Sequence, residues 1–440
     1  MRVLLIAYHY PPDPAVGAIR AGRVARSLVA AGHDVHVLSI REGDAPRTSE
    51  EDGVHVRRVG RALDPRQTLV SLKRLVTRRS NGRANGRSSA GSRVDRNEAG
   101  TWLPPTQVAA WRRYIGSLLW LPDDQQGWIP SVVAAGLRRI ATGIDVVYTT
   151  APPYSAHLAG LLLKTLTGVP WVAEMRDPWI GNPWKPWWVR SKGTDAVDAW
   201  LERRCMRSAD RVVAVTAAAA KEMAERRRDP ESVVLVRNGI PALPESRHIG
   251  PVPPSTERLI VYVGTLYHRR DPRPFLLGLA ALRRMGRLTA VRVDFIGNCS
   301  HYDGVDLSAL CNDLGIGDVV RFVPSVPHAE CQDRIRAADL LLLFAQHQPV
   351  QVPQKLYEYM ATGLPMIAFA DAEGETAAML REVGGHHLIT DDDPEAIAHT
   401  LDVAIHEDHD AAGTDTDVLR QWSADHQMNR LVRLIETVAP

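Results

Sequence analysis

Lys355 and Glu358 stand three residues apart in the stretch Val352-Pro353-Gln354-Lys355-Leu356-Tyr357-Glu358-Tyr359-Met360-Ala361-Thr362-Gly363-Leu364-Pro365. Pro353 suits a first helical turn, and Gly363 with Pro365 suits an end, so a short helix is expected. The spacing places Lys355 and Glu358 on one face near its start. Free N–H groups and a partial positive charge at a helix N-terminus favour a phosphate, and Lys355 would add a full charge. Glu358, one turn deeper, could accept hydrogen bonds from two ribose hydroxyls, each worth roughly 1.5–3 kcal/mol. An ion pair on a solvated helix, worth about 0.2–0.5 kcal/mol, satisfies the same spacing, and spacing alone leaves both readings open. A second chemical stretch is Pro170-Trp171-Val172-Ala173-Glu174-Met175-Arg176-Asp177-Pro178-Trp179, an apolar strand that ends in a polar turn. Such strand ends are where α/β enzymes place their chemistry, although Asp177 could instead cap the next helix.

The elements that must hold these groups follow an alternating β and α pattern. Val3–Ala7 is a short apolar run typical of a buried parallel strand. Ala21, Val24, Ala25, Leu28 and Val29 form a helical stripe, and Val35–Leu38 is a second strand. This βαβ opening implies a doubly wound sheet with ligands at the carboxyl ends of its strands. The first loop lacks G-x-G-x-x-G, which argues against a dinucleotide site. Strands are also expected at Val54–Val59, Ile144–Thr150, Arg211–Thr216 and Val233–Arg237. The proline-rich run 241–257 reads as a linker. A second strand series follows in Leu259–Val263, Val291–Ile296, Arg321–Val323, Asp339–Phe344 and Met366–Ala370, and a last helix contains Asn429, Leu431, Val432 and Ile435.

The 440 residues suffice for two domains with separate cores. The four cysteines have no CxxC spacing and fit inert thiols in a reducing compartment. No apolar run has the length of a membrane span, and the first apolar run is too short for a signal peptide, so a cytoplasmic protein is expected. Net charge is +2, yet residues 66–96 hold nine Arg or Lys against one acid. Leu69, Leu72, Leu75 and Val76 form a stripe opposite Lys73, Arg74 and Arg78, beside a Ser-, Asn-, Gly- and Arg-rich tract expected to be disordered. Residues 66–96 read either as contact with an anionic membrane surface, at the inner face of the cell membrane, or as a solvated insertion. Nucleic acid is not expected, because the charge is local and lacks a stacking or groove motif. No cofactor and no metal is expected: His406-Glu407-Asp408-His409 reads as surface at a helix end.

The run Lys355-Leu356-Tyr357-Glu358-Tyr359-Met360-Ala361-Thr362-Gly363-Leu364-Pro365 resembles the donor-binding segment of the retaining family 4 glycosyltransferases. Arg176-Asp177-Pro178-Trp179 resembles a segment of a subgroup that adds sugars in polysaccharide and glycolipid assembly. Glu358 matches the second of the two glutamates usual in the family, while the first falls on Val350. The resemblance implies an α/β GT-B fold: two Rossmann-like, doubly wound domains facing across a cleft. It implies an acceptor domain over 1–240 with a basic insertion at about 64–105, a linker over 241–257, a donor domain over 258–420, and a helix over 421–440 crossing back. It also implies that Gly17 lies near the donor diphosphate and the acceptor, and that Gly264 matches the glycine of the family's first donor-domain loop. Arg270 falls at that loop's lysine position, and Arg269 stands in for an arginine that is Thr265 here. Asp177, oriented by Arg176, would face the reacting sugar and acceptor.

Together these readings point to a retaining, metal-independent transferase. It would move a sugar from a nucleotide-sugar donor to a saccharide or lipid-linked acceptor. Two alternatives are a GT-B-type sugar-nucleotide epimerase and a membrane-associated binding subunit inactivated by the loss of the glutamate at position 350.

Overall fold

The structure is a computed structural model that describes residues 1–13, 15–43, 45–62, 117, 120–180, 185, 190–241, 257–267, 269–406 and 415–439. The basic stretch 66–96, nearly all of the expected insertion and linker, Trp184, Trp187, Trp188 and residues 407–409 lie outside the described residues. The chain divides into two compact units. The first holds the described residues up to Arg237 and those from Gln427 onward, and the second those from Asn238 to His426.

Unit 1 is built on an eight-stranded sheet: β1 (Arg2–Ala7), β2 (Asp34–Ile40), β3 (Thr48–Glu51), β4 (Val54–Val59), β5 (Val146–Ala151), β6 (Trp171–Met175), β7 (Arg211–Ala214) and β8 (Val233–Leu235). Their spatial order is β3-β4-β2-β1-β5-β6-β7-β8. All pairings are parallel except β3 with β4. β1 and β5 are buried on both faces, as continuous apolar runs require once helices cover each side. Met428, Leu431, Val432 and Ile435 of the Ala424–Glu436 helix join the core of this unit beside β1, β2 and the Val16–Ala30 helix. The short helix before it, Thr416–Gln421, is a separate element that packs with the second unit.

Unit 2 carries a six-stranded parallel sheet of β9 (Arg258–Val263), β10 (Val291–Ile296), β13 (Val320–Val323), β14 (Leu340–Ala345), β15 (Met366–Ala370) and β16 (His387–Ile389). Its order is β13-β10-β9-β14-β15-β16. A small antiparallel pair, β11 (His301–Tyr302) and β12 (Val305–Asp306), stands apart. In both sheets the chain order reverses beside the first strand, between β1 and β5 and between β9 and β14. In open α/β sheets the crevice at the carboxyl ends of such a pair is where ligands bind.

Candidate active site

In unit 2 the reversal point brings together the loops after β9 and β14. The loop after β14 leads into the Gln354–Met360 helix. This helix is seated by its apolar side, with Leu356, Tyr357, Tyr359 and Met360 buried. The Tyr359 hydroxyl accepts the Val263 N–H at 3.1 Å, which ties the helix to the end of β9. Lys355, one turn earlier, therefore lies across Gly264. A Cβ at Gly264 would sit 2.7 Å from Lys355 Cε, and the glycine's φ of +140° is one that side chains rarely allow. Gly297, at the end of β10, has φ +122° for a related reason, since a Cβ there would meet the Gly264 carbonyl oxygen at 2.1 Å. Glycines at the ends of neighbouring strands thus let the two loops close together beneath the lysine.

Lys355 is half-buried, and burial lowers its pKa below the ordinary lysine value. Glu358 opposes this shift and the nearby charge of Arg270 adds to it. Lys355 and Glu358 make no direct ion pair among the described residues, although the Glu358 charge acts on Lys355. The Arg270 guanidinium stacks over the Tyr267 ring at 4.3 Å from its centroid, and its Nε is buried without a hydrogen-bond partner. Arg269 adopts φ +72° and donates from Nη1 to the His347 carbonyl at 3.1 Å, so it braces the loop after β14. The same loop is held by Asp371, whose carboxylate accepts the His347 and Gln348 N–H groups at 2.8 and 2.9 Å. Gln346 Oε1, Gln348 Nε2 and Thr376 Oγ1 are buried without partners on this side of the unit. Gly264, Arg269, Arg270, Lys355 and Glu358 therefore all belong to the β9 and β14 loops and the helix that follows them. The Gln354–Met360 helix is only seven residues long, with Pro353 as its N-cap, so Lys355 rather than the helix end supplies most of the positive charge.

In unit 1 the reversal point joins the loops after β1, β5 and β6. Arg176 follows β6 directly. It donates from Nε to the Ala151 carbonyl at 3.2 Å and from Nη2 to the Pro152 carbonyl at 2.5 Å. Gly17, in the first turn of the Val16–Ala30 helix, packs against this guanidinium: a Cβ there would lie 2.5 Å from Arg176 Nη1. Gly17 and Arg176, far apart in sequence, are thus direct neighbours. Asp177 is half-buried beside them, and its carbonyl, with that of Pro178, accepts the Tyr154 hydroxyl at 3.2 and 2.7 Å. Tyr154 stacks on Trp179 at 4.7 Å, which fixes the Asp177-Pro178-Trp179 turn from below. The next helix, Lys192–Ser208, is capped by Ser191 in a capping box with Thr194, so that role does not fall to Asp177.

Two residues that sequence reasoning missed hold this arrangement. Arg20 pairs with Glu174 inside the unit, Nη2 to Oε1 at 2.6 Å and Nε to the same oxygen at 2.8 Å. Arg20 also donates to the carbonyls of Val236 and Arg237 at 3.0 and 2.9 Å. Thr150 Oγ donates to Glu174 Oε2 at 2.6 Å. Burial would raise the Glu174 pKa, but the Arg20 charge and these hydrogen bonds outweigh it, and the pKa falls below the ordinary value. The signal was present in the sequence: a glutamate inside the apolar run Trp171-Val172-Ala173-Glu174-Met175 needs a buried partner.

Residues 70–239 match the family model described as glycosyl transferase 4-like domain, and residues 257–407 match that of glycosyl transferases group 1. A D-inositol 3-phosphate glycosyltransferase of Thermobispora bispora is 28% identical over 312 residues, an alignment spanning 59% of this chain and 71% of that protein. The fold is also that of sucrose-phosphate synthase from Thermosynechococcus elongatus, with TM-score 0.60 at 16% identity, over 99% of this chain and 98% of that one. Anabaena Alr3699/HepE, solved in complex with UDP-glucose, gives TM-score 0.57 at 13% identity, over 99% and 100%. The two domain matches follow one another along the chain in the order of the two units, and the parallel sheets agree with the fold of these structures. The chain belongs to the family 4 glycosyltransferases and has their GT-B fold.

Proposed function

We propose that this glycosyltransferase is a retaining enzyme that needs no metal and takes a nucleotide-sugar donor. The observation that carries the reading is Lys355 lying across Gly264 with Arg270 nearby, two cations that form no ion pair among the described residues. Burial and the Arg270 charge both disfavour the charged lysine, Glu358 offsets them, and a bound anion would stabilise both cations further. A nucleotide diphosphate fits, because charge builds on its oxygens as the sugar bond breaks and two cations stabilise that charge. Glu358, on the same helix face as Lys355, takes the ribose hydroxyls. Arg269 supports the loop that receives the sugar. The donor complexed in the Anabaena structure, UDP-glucose, is of this class.

In unit 1, Asp177 and Arg176 serve the acceptor, and Gly17 leaves Arg176 the room it occupies. The bond from sugar C1 to the diphosphate oxygen breaks, a bond from C1 to the acceptor oxygen forms on the same face, and the acceptor proton passes to the leaving phosphate. No protein base is then required. The acceptor class is a saccharide or lipid-linked saccharide, in surface polysaccharide or glycolipid assembly. Incubation with UDP-, GDP-, dTDP- and ADP-linked α-sugars, with and without EDTA, tests this reading. One class should release its nucleoside diphosphate equally in both conditions, and its product should keep the α configuration. A β product, or release abolished by EDTA, contradicts it.

A further inference from the structure

We propose that the exposed faces of the Ser155–Thr167 and Lys192–Ser208 helices form a docking surface for an anionic lipid bilayer. On the second helix Trp200 is 58% exposed and Val197 43%. Arg203, Arg204 and Arg207 are also exposed and make no ion pair among the described residues. At about 100° per residue these five positions share one face of the helix.

The helix's three acids are all kept off that face. Asp198 is buried, accepting the Trp179 indole N–H at 3.3 Å and pairing with Lys185. Glu202 is buried and pairs with Arg226 at 3.2 Å. Asp195 sits five positions before Trp200, on another side. The neighbouring Ser155–Thr167 helix packs against this one and adds Leu162 and Leu166, 43% and 63% exposed.

An exposed tryptophan and aliphatic side chains among unpaired arginines match a headgroup layer, which offers negative charge above an apolar interior. A second copy of the chain fits poorly, because a twofold contact through this face would set the arginines against their own counterparts. The surface includes neither Arg176 nor Asp177, and vesicle binding can be read with neither donor nor acceptor present.

The test is co-sedimentation of the full chain with vesicles of phosphatidylcholine and an equal part of phosphatidylglycerol, and with phosphatidylcholine alone. The chain should sediment with the anionic vesicles, less so as salt rises. The double variant Val197→Ser/Trp200→Ser, and separately Arg203→Glu/Arg204→Glu/Arg207→Glu, should each lower the bound fraction by about fivefold or more, with unchanged thermal melting. If the serine variant melts early, the charge-reversal variant decides. Binding that survives both changes, no vesicle binding by the unaltered chain, or a dimer that Trp200→Ser dissolves would each overturn the proposal.

Discussion

Lys355 lies across Gly264, so close that a Cβ on the glycine would stand 2.7 Å from the lysine Cε. Gly264 follows β9 and Lys355 lies in the helix that the β14 loop leads into, and they meet where the order of the unit 2 sheet reverses. Gly264→Ala should therefore act twice. The strained φ should cost of order 1–3 kcal/mol of stability, and the displaced lysine should weaken donor binding by about tenfold or more. Thermal melting with and without donor separates the two effects. Unchanged donor affinity would show that the position of Lys355 is immaterial.

The depressed pKa of Lys355 gives binding a pH dependence of known sign. A lysine titrating below its ordinary 10.5 loses its proton earlier as pH rises, and the diphosphate then faces a neutral amine. Donor affinity of the unaltered protein should fall on the alkaline side before pH 10.5 is reached. Lys355→Arg, whose guanidinium stays charged there, should not show that fall. Lys355→Ala should cut turnover by about tenfold or more at neutral pH. Isothermal titration across pH 7–10, an interval set by the ordinary lysine range, checks the first two. Parallel curves for the unaltered protein and Lys355→Arg would oppose the assignment.

Gly17→Ala tests the acceptor side. The new methyl would fall 2.5 Å from Arg176 Nη1 and push the guanidinium off the Ala151 and Pro152 carbonyls. The backbone itself tolerates alanine, which is the better helix former by about 1 kcal/mol. Transfer rate should drop by about tenfold or more while donor affinity stays within about twofold. Steady-state rates beside a donor titration give the answer. A rate equal to that of the unaltered enzyme would remove Arg176 from the site.

How much of this was legible follows from where each signal lies. Alternating apolar runs and helical stripes are local, so most parallel strands and most helices could be read directly, though the short edge strand β16 was not. Nor was the edge strand β3, because Thr48-Ser49-Glu50-Glu51 is polar. Its signal was the turn: Asp52 and Gly53, with φ of 53° and 75°, make the Asp-Gly hairpin connection to β4. Lys355 and Glu358 stood out by spacing and resemblance, but that Lys355 rests on Gly264 required the fold. The Arg20–Glu174 pair spans 154 positions, and no pattern within either segment names the partner.

That pair sets a stability prediction. Glu174→Ala removes the carboxylate that faces the buried Arg20 guanidinium, which should cost about 3–5 kcal/mol. Because the Glu174 pKa is lowered on folding, its contribution is full above the ordinary value of 4.5 and is lost as pH falls through the folded value. Denaturation of the unaltered protein and Glu174→Gln should therefore converge as pH falls below about 4.5. A constant gap down to the acid limit would mean that the charge of Glu174 is not what stabilises.

The most direct measurement is a thermal-shift panel of UDP-, GDP-, dTDP- and ADP-sugars on the full chain, repeated with Glu358→Ala. Binding at about 100 times Kd adds about 2.7 kcal/mol, a readily seen shift. One nucleotide class should raise the melting temperature, and Glu358→Ala should abolish that rise. No shift with any donor, or an equal shift in the variant, would contradict a donor site built on Lys355 and Glu358.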